Sequence, residues 1–177
     1  MNLQNKDQSI TIKKGSIAGN YSNTNKNGTT TGVVVNDKES SKSLFEFASE
    51  VNADDKTGRE YAQVEGTNQD GSYTSVVAKG DNKGVDTVGI VFDFIKKGKG
   101  VDTANHSHPG PDKYKNPSGL DTNGNVSKNL LTNRRGDIYA ARVIKRATDR
   151  RSLKTPTMKV YHPKTRTYTS YDGNGLK

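Results

Sequence analysis

Two of the three histidines of the chain, His106 and His108, lie two positions apart in the phrase His-Ser-His-Pro. In an extended strand, residues i and i+2 project from the same face, so both imidazoles would point to one side. Two imidazoles placed in this way can bind one Zn²⁺, and a third ligand, commonly a carboxylate, would leave the fourth position open for water. The spacing therefore predicts a candidate catalytic metal site.

The composition excludes several other chemistries. The 177 residues suffice for one domain with a buried core. The chain has no cysteine, which excludes disulfides, thiolate zinc sites and a cysteine nucleophile. The N-terminus lacks the apolar segment of a signal peptide, and no apolar run approaches the ~20 residues of a membrane span. We therefore expect no membrane span.

The net charge of +9 is concentrated in the last part of the chain. Residues 128–177 contain 13 Lys and Arg against three Asp, a net +10, so residues 1–127 sum to −1. Such asymmetry indicates a surface that contacts an acidic partner or nucleic acid. No recognised nucleic-acid motif accompanies the charge, which argues against nucleic acid.

The first part of the sequence is polar, with short alternating stretches. Residues 1–38 are therefore interpreted as a linker or an edge hairpin, and residues 39–177 as the domain. From Lys42 the apolar positions follow a helical period, and Ser40 or Ser41 could cap the start of that helix.

The rest of the sequence mixes strands and helices. Two β-prone runs, 60–65 and 73–79, flank an Asp-Gly pair and predict a hairpin. Residues 85–95 fit both a helical and a strand period. The mixture predicts an α/β (α+β) domain. The other predicted elements are an extended stretch over 101–105, a long loop over 109–136, a helix over 137–151, and a hairpin of strands 158–161 and 167–171.

The order of these motifs resembles a known family. The arrangement His-x-His-Pro followed by Pro117-Ser118-Gly119-Leu120-Asp121 resembles the JAMM signature of the JAB/MPN metalloproteases, with a longer gap before the serine than is usual there. Over about residues 42–172 the chain is similar to the JAB-like domains at the C-termini of bacterial polymorphic toxins. The phrases that carry this similarity are Leu44-Phe45-Glu46-Phe47, Arg59-Glu60-Tyr61-Ala62, His106-Ser107-His108-Pro109, Gly136-Asp137-Ile138, Tyr161-His162-Pro163 and Tyr168-Thr169-Ser170-Tyr171.

The resemblance implies a JAB/MPN-like, cytidine-deaminase-like sandwich with a central mixed β-sheet flanked by helices. It implies a zinc-dependent peptidase or isopeptidase that acts on a protein or peptide as the effector domain of a bacterial toxin. We would expect delivery without a signal peptide of its own, action in the target-cell cytoplasm, and an acidic immunity protein as partner. The alternatives are an inactive JAB-like module that binds a partner through its basic surface, and a nucleic-acid-directed toxin.

The resemblance also implies a set of site residues. His106 and His108 would bind Zn²⁺ together with one aspartate, either Asp121 or Asp137. Asp121 satisfies the literal Ser-x-x-Asp spacing, but its neighbours are typical of a turn, where an aspartate can close an Asx-turn. Asp137 opens a predicted helix after a glycine, as the ligand aspartate does in RadC-like relatives, and is slightly favoured.

Glu60 and Ser118 are assigned on the same basis, whereas His162 is interpreted from its own neighbours. Glu60, at the start of a predicted strand, would be the general base that takes a proton from the attacking water. Ser118 would hydrogen-bond the oxyanion that forms on the substrate. His162, which precedes a proline, is interpreted as an exposed turn residue without a role.

Overall fold

The fold is described from a computed structural model for residues 1–4, 8–26, 28–51, 53, 59–80, 84–112, 115–121, 123–128 and 135–177. The strands are β1 (Asn2–Gln4), β2 (Ser9–Thr11), β3 (Ile17–Asn25), β4 (Gly28–Val35), β5 (Tyr61–Thr67), β6 (Tyr73–Gly80), β7 (Gly100–Ser107), β8 (Thr157–His162), β9 (Thr167–Asp172) and β10 (Gly175–Leu176). The helices are α1 (Lys38–Val51), α2 (Thr87–Lys96) and α3 (Asp137–Asp149).

Eight of these strands form one mixed sheet, in the order β10-β9-β8-β7-β5-β6-β4-β3, and β1 and β2 form a separate hairpin. Neighbouring strands of the large sheet run antiparallel, except that β7 and β8 are parallel. A parallel pair needs a crossover connection, and here the crossover contains α3. The predicted α/β class with a central mixed sheet flanked by helices is confirmed.

The helices cover both faces of the large sheet. Because successive side chains of a strand alternate between faces, Val76 and Val77 on β6 belong to different cores. Val76 packs in the core that contains Ile90 of α2 and Ile144 of α3. Val77 packs in the core that contains Phe45 of α1. Burial of one isoleucine contributes roughly 1.5–3 kcal/mol, so Ile90 and Ile144 each help to hold their helix on this face.

The N-terminal part of the chain contributes to the sheet. β3 and β4 form a hairpin, with β3 at the edge and β4 paired with both β3 and β6. α1 begins at Lys38, earlier than the predicted Lys42. The predicted capping role of Ser40 or Ser41 is wrong, since both are buried inside the helix, and the carboxylate of Asp37 accepts the Ser40 N–H. An aspartate ahead of the first turn satisfies an N–H that has no partner within the helix.

The remaining elements follow the sequence pattern closely. β5 and β6 pair as the predicted hairpin. The ambiguous stretch 85–95 contains a helix, α2, which the Asp86 carboxylate caps by accepting the Gly89 N–H. The predicted C-terminal hairpin is β8 with β9, and the predicted helix over 137–151 is α3. In the predicted loop over 109–136, residues 113, 114, 122 and 129–134 lie outside the described part of the chain.

None of the described helices is both long and apolar enough to cross a membrane.

The close approach of β4 to β6 yields a test of this topology. A Cβ added at Gly32 would lie 2.1 Å from the carbonyl oxygen of Val77 and 2.6 Å from Cα of Ala78. Gly32→Ala should therefore destabilise the fold by roughly 1–3 kcal/mol or more, because the backbone of β4 must move away from β6. Urea unfolding would measure the loss.

Gly19→Ala on the adjacent strand β3 is the matched control. A Cβ there would meet no atom within 4 Å, so its free energy of unfolding should stay close to that of the original chain. Equal stability of the two variants would show that β4 does not pair with β6 as described.

Candidate functional site

Strand β7 delivers both histidines to one end of the sheet. His106 lies between Ala62 of β5 and Val160 of β8, and its side chain is almost fully buried. His108 follows the last residue of the strand, and its backbone N–H donates to the carbonyl oxygen of Tyr161 at 2.8 Å. The extended path brings the two Nε2 atoms within 3.0 Å of each other. The predicted common direction of the imidazoles is confirmed.

The carboxylate of Asp137 reaches the same point from the first residue of α3. Gly136 precedes the helix with φ of 83°, a backbone conformation that glycine adopts readily. Ser118 then fixes the helix start: its hydroxyl oxygen accepts the Asp137 N–H at 3.0 Å, and its carbonyl oxygen accepts the Ile138 N–H at 3.2 Å. These contacts satisfy two N–H groups that have no partner inside the helix.

Ser118 also holds the Asp137 side chain. Its backbone N–H and its hydroxyl both donate to Oδ2 of Asp137, at 2.6 Å and 2.9 Å. Because a hydroxyl has a single proton, Ser118 has no proton left for another acceptor in this arrangement. The oxyanion role predicted for Ser118 would require this hydroxyl to leave Asp137.

Three side chains thus converge on one point and could bind a metal ion. Nε2 of His106 lies 3.0 Å from Oδ1 of Asp137, and Nε2 of His108 lies 3.2 Å from Oδ2. One ligand atom from each residue lies within 4.8 Å of the other two. If each Nε2 carries a proton for the carboxylate, no acceptor remains for the 3.0 Å contact between the two nitrogens. A cation bound by all three groups removes this conflict.

The electrostatics of Asp137 favour its charged form. Burial alone would raise the pKa of the Asp137 carboxyl, but the charge of His106 and the hydrogen bonds from His106 and His108 outweigh burial and hold that pKa well below its usual range. The carboxylate is therefore ionised, as a metal ligand must be.

Glu60 lies beside this group without joining it. Its Oε1 is 4.0 Å from Nε2 of His108. Burial raises the pKa of the Glu60 carboxyl, although His106 and His108 lower it in part. Two contacts position the residue: the N–H of Val85 donates to its carboxylate, and the N–H of the next residue, Tyr61, donates to the hydroxyl oxygen of Ser107 on β7. A mostly buried carboxyl with a raised pKa suits a general base.

Asp121, the alternative ligand, is engaged elsewhere. Its Oδ1 accepts the backbone N–H groups of Asn123 and Asn125, both at 2.9 Å, and it does not belong to the group of potential metal ligands among the described residues. The carboxylate closes its own turn, as aspartates in such loops commonly do. Of the two aspartates, the structure brings only Asp137 to the histidines.

The predicted exposure of His162 is wrong. The residue ends β8 and is fully buried. Its Nδ1 lies 2.8 Å from the hydroxyl oxygen of Thr165, and its Nε2 lies 3.1 Å from the carbonyl oxygen of Gly110. Its ring therefore joins the β8–β9 turn to the segment that follows His108. The sequence carries no signal for this contact, because Gly110 and His162 are 52 positions apart.

Tyr171 on β9 is a neighbour of the site to which the sequence assigned no role. Its ring meets that of His106 edge-on, with centroids 6.3 Å apart and planes at 87°. The residue is 2% exposed, and its hydroxyl makes no hydrogen bond to another described residue. Burial raises the pKa of the phenol well above its ordinary value, and the charges of Asp137 and Glu60 add to this effect. The hydroxyl therefore remains a potential donor.

No protein-family model, curated protein or solved structure matches the chain.

The group of His106, His108 and Asp137 predicts metal binding. The purified chain should bind about one divalent ion, and the bound ion should raise the melting temperature because it binds only the folded state. Asp137→Asn should weaken binding by at least about a hundredfold, and His106→Ala should abolish it. Isothermal titration with Zn²⁺, Co²⁺ and Mn²⁺ would measure the affinities.

Asp121→Asn provides the matched control. An asparagine keeps the side-chain oxygen that accepts the two N–H groups of the turn, so metal affinity should be unchanged. Loss of binding in this variant, with full binding in Asp137→Asn, would contradict the ligand assignment.

Proposed function

We propose that the chain is a zinc-dependent hydrolase with a JAB/MPN-like (JAMM) site. The observation that carries this proposal is the convergence of two imidazoles and one carboxylate, with Glu60 beside them as an additional carboxyl. Two histidines, one acidic ligand and a free carboxyl are the components with which zinc hydrolases bind the metal and activate water. The cytidine-deaminase-like form of the fold is part of the same proposal.

The geometry of the ligand group supports zinc. Ligand atoms at about 2.0–2.1 Å from a tetrahedral zinc lie about 3.3–3.4 Å from one another. The two Nε2 atoms lie 3.0 Å apart, a few tenths of an ångström closer than this spacing. They lie 3.0 Å and 3.2 Å from two different oxygens of the Asp137 carboxylate, Oδ1 and Oδ2, and one ligand atom from each residue lies within 4.8 Å of the other two. Imidazole nitrogen and carboxylate oxygen both suit zinc, whereas calcium and magnesium prefer oxygen ligands.

Each residue then has a definite task. Zinc, when bound, supplies a Lewis acid that polarises the substrate carbonyl. His106, His108 and Asp137 would hold it, and Ser118 fixes the orientation of the Asp137 carboxylate through Oδ2. Glu60 takes a proton from the attacking water and returns it to the leaving group, a role that its raised pKa favours.

The substrate and the biological role rest on the resemblance of the motifs. Peptidase or isopeptidase activity on a protein, action as a toxin effector inside a target cell, and neutralisation by an acidic immunity protein are what that resemblance implies. The His-Ser-His-Pro phrase, Glu60 ahead of a strand, and Asp137 at a helix start after glycine are the features that the chain shares with the family.

A second candidate function is a partner-binding module. Arg146, Arg150, Arg151 and Lys154, at and beyond the end of α3, are exposed, and none forms an ion pair with a described residue. An acidic protein surface would complement these charges. This surface is compatible with an immunity partner of an active enzyme, and equally with a domain that acts by binding alone.

The Glu60→Gln variant distinguishes the proposed hydrolase from the partner-binding module. Expression of the chain in a bacterial host should inhibit growth, and the variant should lose at least about a hundredfold in hydrolysis, because glutamine cannot accept the proton of water. Its metal affinity should remain within a factor of a few, since Glu60 is not among the ligands. New N-termini in host proteins, detected by mass spectrometry, would report cleavage.

Glu39→Gln, an exposed acid in the first turn of α1, controls for loss of one negative charge and should remain active. Full growth inhibition by a zinc-loaded Glu60→Gln protein would favour the binding module over the hydrolase.

A further inference from the structure

The site needs a hydrogen-bond donor that Ser118 does not supply. When water attacks a carbonyl carbon, negative charge develops on the carbonyl oxygen, and a donor aimed at that oxygen lowers the barrier. Both donors of Ser118 point to Oδ2 of Asp137, at 2.6 Å and 2.9 Å. If they turned to the substrate, the Asp137 carboxylate would lose two of the contacts that orient it.

The ring of Tyr171 lies beside one of the three candidate metal ligands, His106. Tyr171 pairs with Met158 on the neighbouring strand β8, and Met158 in turn pairs with Ala104 on β7. His106 is two positions further along β7, so Tyr171 and His106 project from the same face of the sheet. The perpendicular contact of the two rings brings the phenol to the metal ligands.

The hydroxyl of Tyr171 is also free to donate. It makes no hydrogen bond to a described residue, although the side chain as a whole is 2% exposed. The other two tyrosines of this region differ: Tyr161 donates to Glu50, and Tyr168 donates to Glu46.

We propose that Tyr171 is a catalytic residue whose hydroxyl donates a hydrogen bond to the carbonyl oxygen of the substrate as negative charge develops on it. This inference rests on the proposed hydrolase function. The phenol keeps its proton and forms no covalent bond during the reaction. Ser118 is then a positioning residue that acts through Asp137.

The test uses the zinc-loaded full chain and acetohydroxamate, a small ligand whose carbonyl and hydroxamate oxygens bind zinc. Tyr171→Phe keeps the ring and removes only the hydroxyl, so its dissociation constant for acetohydroxamate should rise about tenfold, as expected for loss of one hydrogen bond to a charged group. Its zinc content should be unchanged. Isothermal titration would measure both quantities.

Tyr168→Phe is the matched control, because Tyr168 lies on the same strand and its hydroxyl donates to Glu46 at 2.9 Å. This variant should bind acetohydroxamate like the original chain. Ser118→Ala should weaken zinc binding about 10–100-fold, yet its zinc-saturated form should keep its affinity for acetohydroxamate.

Thermal unfolding distinguishes a role of the Tyr171 hydroxyl in catalysis from a role in packing. Tyr171→Phe should be at least as stable as the original metal-free chain in thermal unfolding, because no hydrogen bond to the described residues is lost. Unchanged acetohydroxamate affinity in Tyr171→Phe, with normal zinc binding, would overturn the inference and leave the proposed function standing. Failure of the original chain to bind zinc would overturn both.

Discussion

The carboxylate of Asp137 joins the parts of the chain that make up the site. It belongs to the first residue of α3, accepts two hydrogen bonds from Ser118, and meets both imidazoles at 3.0 Å and 3.2 Å. The parallel pairing of β7 with β8 makes this meeting possible, because the crossover between them carries α3 back to the end of β7. Without this carboxylate, the imidazoles would have no partner of opposite charge within the ligand group.

The site contains several ionisable side chains that are largely shielded from water. Two carboxyls, those of Asp137 and Glu60, lie among mostly buried groups, and the pKa of one is lowered while that of the other is raised. Transfer of a carboxylate out of water is costly unless it is paired. Asp137 is paired and stays charged, whereas Glu60 is held less strongly and has a raised pKa. Such a difference between neighbouring acids is typical of sites that move protons.

Features that depend on local pattern were predictable from the sequence. The spacing of His106 and His108 predicted their common direction. The predicted helix start after Gly136, together with the family resemblance, slightly favoured Asp137 over Asp121. Features that depend on long-range register were not. The burial of His162 against Gly110, and the contact of Tyr171 with His106, arise from strands and loops distant in sequence. The secondary structure of residues 85–95 was ambiguous because the apolar positions fit both a helical and a strand period. In the structure, α2 packs against β5 and β7, and this packing favours the helix.

The central claim is that His106 and His108 bind the metal, and X-ray absorption at the zinc edge tests it most directly. The zinc-loaded chain should show the multiple-scattering pattern of two imidazoles at about 2.0–2.1 Å, with oxygen completing the shell. In His108→Ala the imidazole contribution should fall by half or the zinc should be lost. A shell of oxygen ligands alone, or a spectrum unaffected by the loss of His108, would contradict the account.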